Sequence, residues 1–162
     1  MPVKRKLGEA AVARPARHAS LRIRDFLALV DDGVREGMGP RAYRAWETRQ
    51  RFGYVQYWKG EHWLHYECWV QRKTQRLEIG LHFEGDRERS YAAAGLLAEH
   101  ADEVAAAAGP EYELEEWTPA WTRLHRAFAA PTLTEELADE AAARVVALIE
   151  GMEPLLMKVG LR

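Results

Sequence analysis

From Ser20 onward Ile23, Phe26, Leu27, Val30 and Val34 recur at helical spacing, laying one apolar stripe along a helix, and Gly37-Met38-Gly39-Pro40 supplies its stop. Pro40 can open a second short helix through Tyr43 and Trp46 that ends near Phe52-Gly53. There the period changes to two. Three segments, Tyr54 to Trp58, His62 to Arg72 and Gln75 to Glu84, are rich in aromatic and β-branched residues and predict a meander of strands. Lys59-Gly60 and Lys73-Thr74 are short enough for tight hairpin turns.

Those turns fix a register. Centring the second hairpin on Lys73-Thr74 pairs Cys68 with Ile79, Tyr66 with Leu81 and Leu64 with Phe83, so one face is apolar across both strands. Centring the first on Lys59-Gly60 sets Val55 opposite Leu64 and extends that face. Ser90 then predicts the cap of a helix carrying Leu96, Leu97, Ala101 and Val104, ended by Gly109-Pro110. Two further strands, Glu111 to Trp117 and Trp121 to Phe128, flank Thr118-Pro119-Ala120. Thr132 with Glu135 forms a capping box for a last helix through Leu156. The expected fold class is α+β in the order α(α)βββαββα, a mainly antiparallel five-stranded sheet with helices on one side.

Composition narrows the class. With 162 residues, 48% hydrophobic and 30% charged, one ordinary core is expected over residues 20–162. No apolar run reaches the roughly 20 residues that span a bilayer, and Met1 to Ala19 lacks the apolar segment of a signal peptide, so a cytoplasmic protein without a membrane partner is expected. The lone Cys68 falls in a strand and allows no internal disulfide. Residues 1–19 carry Lys4, Arg5, Lys6, Arg14 and Arg17 against Glu9, which predicts a basic, disordered tail on an acidic body.

The element order resembles the type III secretion chaperone-like fold, which includes the YbjN-like proteins. At the level of sequence, Phe52 to Leu156 resembles a bacterial domain family of unknown function often found beside restriction-endonuclease-like segments. The pattern is carried by "RLEIGLHFEGD" at Arg76 to Asp86, "AAAAGPEYELEEW" at Ala105 to Trp117 and "WTRLHRAF" at Trp121 to Phe128. The resemblance implies a fold and an association with nucleic-acid-handling or defence proteins, and it brings no catalytic residues.

The register puts Tyr54, Gln56, Trp58, Trp63, His65, Glu67, Trp69, Glu78, Gly80 and His82 on the face opposite the apolar one. That face is unusually aromatic. Either a partner covers it, with Tyr54, Trp58, Trp63 and Trp69 as anchors beside His65, Glu67 and His82, or the second or last helix wraps round to bury it. The first reading makes the chain a non-enzymatic interaction domain, homodimeric or bound to another protein.

His65 and His82 fall opposite each other with Glu67 two residues along, a spacing that suits a metal or proton transfer. Strands also carry His and Glu as polar filler, so no metal and no cofactor is assigned; His62 is excluded because its parity places it on the other face. Gln71-Arg72-Lys73 is the nearest approach to a nuclease triplet, yet it sits at a turn without an upstream Asp. No Walker loop or GxGxxG is present, and Cys68 points into the expected core. An accessory role on nucleic acid would use Lys73, Arg123 and Arg126 against phosphate; solvated strand charges are the bland alternative.

Overall fold

The computed structural model describes residues 20–162, so the expected basic tail, 1–19, lies outside the described residues. Eleven elements follow in order: α1 (Ile23–Met38), α2 (Pro40–Tyr43), β1 (Glu47–Gln50), β2 (Tyr54–Trp58), β3 (Leu64–Gln71), β4 (Arg76–Phe83), α3 (Arg87–Glu99), α4 (Ala101–Ala108), β5 (Glu113–Glu116), β6 (Thr122–Ala129) and α5 (Glu135–Lys158). The strands form one antiparallel sheet of six, ordered β1-β2-β3-β4-β6-β5. The α+β class and antiparallel sheet match the expectation, while the strand count is six rather than five.

The additional strand comes from the region expected to be helical. After one turn at Pro40 the chain leaves the helix, Trp46 drops into the core edge-on to Tyr66 with ring centroids 5.7 Å apart, and β1 pairs with β2. Nothing in Glu47-Thr48-Arg49-Gln50 alternates; backbone pairing holds this strand, not an apolar face.

The second hairpin has the expected register, with Cys68 opposite Ile79 and Leu64 opposite Phe83. The first does not: Val55 faces Cys68, four residues past the expected Leu64, because the connection runs from Lys59 to Trp63 instead of closing in two residues. A slip by an even number leaves every side chain on its face, so the core survives the error.

That core unites the inner sheet face, including Val55, Tyr57, Leu64, Leu77, Ile79, Leu81 and Leu124, with Phe26, Leu27, Val30 and Val34 of α1 and the buried side of α5. Packing between α1 and α5 is close. A Cβ on Gly33 would stand 2.6 Å from that of Ala142.

The expected third helix is two, parted at His100, and Asp86 caps the first by accepting from the Arg89 amide. Ser90 lies inside α3, where its hydroxyl accepts from the Gly85 amide and its carbonyl from Thr122. α5 is capped by Thr134, which accepts from the Leu137 amide, rather than by Thr132. No helix among the described residues is long and apolar enough to cross a membrane.

Candidate functional site

Strand alternation decides which side chains meet on the second face. β3 presents His65, Glu67 and Trp69, β4 presents Glu78, Gly80 and His82, β2 Gln56 and Trp58, and β6 Arg123 and His125. Pairing brings Gln56 opposite Glu67, His65 opposite His82 and His82 opposite Arg123. Gly80 leaves room between them: a Cβ there would stand 2.9 Å from that of His125 and 3.2 Å from His82 Nε2.

No polar filler is left in water at the centre of this face. His65 and His82 are 0% exposed, Glu78 1%, Gln56 3% and Glu67 5%. Burying such groups is expensive unless they satisfy one another, and here they do. The Gln56 amide nitrogen donates to Glu67 at 2.6 Å and lies 3.1 Å from His65 Nε2. His65 Nδ1 is 2.9 Å from the His62 carbonyl, so that nitrogen carries a proton and donates. His82 places Nε2 3.1 Å from Glu78 and Nδ1 3.1 Å from Glu84. The other oxygen of Glu78 accepts from Arg123 at 2.8 Å and from Gln71 at 2.9 Å.

The charges follow from these contacts. Burial alone would drive proton from His82, but the carboxylates of Glu78 and Glu84 reverse this and lift it to about 9. Burial likewise raises Glu78, and His125, His82 and Arg123 outweigh it, bringing the carboxyl down to about 2. Glu67 is lowered in the same way against its own burial, chiefly through His65, His82 and Gln56. His62, next to His65 and Arg49, is lowered by burial and by both neighbours.

Rings and guanidinium groups close over the network. His62 stacks on His65 with centroids 4.6 Å apart and planes 5° from parallel, and Trp117 meets His82 edge-on at 4.9 Å. Arg49 lies over Trp58, and Arg123 over Trp117. His125 is close to Glu115 and Glu78, yet neither ring nitrogen is aligned for a hydrogen bond.

The structure gathers His65, Glu67, Trp69 and His82 on this face, with Tyr54 and Trp58 at its margin. Trp63 departs from the expectation. It precedes the first residue of β3, so alternation does not govern it, and it packs towards Phe83 beneath the Arg89 guanidinium, on the core side. His62 moves the opposite way, from its expected place on the apolar face to the polar network. Arg123 is 12% exposed and bound between Glu78 and Glu115; Arg126 lies 3.9 Å from Glu111, and Lys73 stays exposed in the β3–β4 turn. Sequence reading missed Glu84, Arg49 and Trp117, whose places depend on strand ends and loops.

At its β1–β2 end the face changes character. Phe52, in the turn, is 83% exposed and forms one wall of a largely apolar groove of about 490 Å³, with Ile23, Trp69, Val70 and Trp117 and the basic Lys73 and Arg123 also lining it. Comparisons of the chain with protein-family models, curated proteins and solved structures give no match.

Proposed function

We propose that the chain is a non-enzymatic interaction module that binds a second copy of itself through the Phe52 end of the outer sheet face. The observation carrying this reading is the exposed Phe52 ring bordering a largely apolar groove that no part of its own described chain fills. What marks an interaction surface is a contiguous apolar patch, and here the ring adjoins the groove to make one. A knob and a groove side by side on one surface suit a two-fold contact, in which each copy lends its ring to the other's groove. Trp69 and Trp117 are residue types that anchor such contacts.

Sedimentation equilibrium tests the reading. The native chain should run as a dimer, and Phe52→Asp as a folded monomer with an unchanged circular dichroism spectrum. A native chain that stays monomeric up to millimolar concentration ends it. The nucleic-acid alternative is less favoured, since Arg123 already has two carboxylate partners. As to relationship, the meander, helical segment, hairpin and closing helix support a secretion chaperone-like reading, and β1 is an element that reading did not include.

A further inference from the structure

The structure points to a second role for the same face, independent of dimerisation: we propose that His65, Glu67 and His82 form a binding site for a single Zn²⁺ ion, with the fourth position open. Sequence alone allowed the spacing and gave no reason to prefer a metal. Three features of the folded chain supply it.

The first is geometry. Ligand atoms of His65, Glu67 and His82 all lie within 4.8 Å of one another. Four ligands placed tetrahedrally about Zn²⁺ at about 2.0–2.1 Å stand about 3.3 Å apart. His65 Nε2 is 3.6 Å from Glu67 Oε2, and the separations from His82 to both are at most 4.8 Å. The His65–Glu67 edge is close to this value already, and His82 would draw in to complete the set.

The second is the support behind the ligands. Zinc-binding histidines characteristically donate their other ring N–H to a carbonyl or carboxylate, which fixes ring and tautomer. His65 Nδ1 has the His62 carbonyl. His82 has a carboxylate at each nitrogen, so whichever one takes the ion, the other keeps its orienting partner. If that partner is Glu78, it is itself steadied by Arg123 and Gln71.

The third is charge and burial. Glu67, Glu78 and Glu84 bring three carboxylates to the network, against the Arg123 guanidinium bonded to Glu78 and the imidazolium of His82. A divalent ion would replace the positive charge that His82 gives up on ligation and offset the remaining carboxylate. The Gln56 amide nitrogen, which donates towards both His65 Nε2 and Glu67, occupies the place of a positive donor and would turn aside when the ion enters. Imidazole ligands favour Zn²⁺ over Mg²⁺ or Ca²⁺, which prefer all-oxygen shells.

Chelator-stripped full-length protein titrated with ZnCl₂ by calorimetry should bind one ion per chain, and MgCl₂ none. At about a hundredfold excess over Kd, the melting temperature should rise by roughly 5–10 °C. Glu67→Gln, which keeps the shape of the side chain, should retain the native circular dichroism spectrum and lose at least about tenfold in affinity. Should that variant fail to fold, zinc-edge X-ray absorption on the native protein decides, because the site requires two imidazole nitrogens and oxygen in the first shell. Absence of uptake, equal binding by a folded Glu67→Gln, or a shell without two imidazoles would each overturn the proposal.

Discussion

Glu78 holds three side chains of the polar network together: one oxygen faces His82, the other faces Arg123 and Gln71, and the whole residue is 1% exposed. Removing one partner from such a buried set leaves charge without compensation, so Glu78→Ala is expected to lower stability by about 3–5 kcal/mol in urea denaturation. A loss under about 1 kcal/mol would show that the network is not closed as described. Tyr112 offers a pH-dependent test away from this cluster. Burial, outweighing the nearby Arg144 and Arg126, pushes its phenol up to about 12. A group whose folded pKa is raised lends its full stability below the unfolded value near 10 and loses it as pH climbs towards 12. Tyr112→Phe removes that dependence, so urea midpoints of native and variant protein should converge or cross between pH 9 and pH 11.5, with a relative change of about 2 kcal/mol.

Helix packing gives a pair of glycine substitutions with opposite signs. A Cβ on Gly151 of α5 would collide with the Ala107 carbonyl of α4, whereas one on Gly95 of α3 meets nothing within 4 Å. Alanine gains about 1 kcal/mol of helix propensity in either place. At Gly151, overpacking of about 1–3 kcal/mol or more overrides that gain, because backbone atoms cannot move aside as a side chain can. Thermal melts should therefore show Gly151→Ala destabilised and Gly95→Ala stabilised. The same contrast between strong and weak signals explains what the sequence disclosed. Strict alternation through Leu64–Val70 and Leu77–Phe83 made the central hairpin and both of its faces readable, including His65 opposite His82. β1 has no apolar face to betray it, and His62 and Trp63 exchanged sides because parity ends where β3 begins. Burial of the polar face was hidden for another reason: its cover, Trp117 and His62, comes from connections with no periodicity to follow.

At the scale of the molecule, Arg162 ties distant parts together. Arg162 donates to the Lys59 carbonyl at 2.6 Å and to Glu153 at 3.3 Å, and Glu153 accepts from the buried Tyr66 hydroxyl. Arg162→Ala should lower stability by about 1–3 kcal/mol and speed amide exchange in the β2–β3 connection before any change in the central strands. Unchanged exchange at Lys59 to Trp63 would refute this coupling. A further consequence follows from the strands at the two borders of the sheet. β1 and β5 are four residues each, and between them they carry Glu47, Arg49, Glu113, Glu115 and Glu116. Short, charged borders are poor templates for an incoming strand, so the sheet resists the endless lateral addition that builds fibrils. On the proposed reading, copies of this chain would meet through their faces, and a two-fold contact of that kind is complete at two.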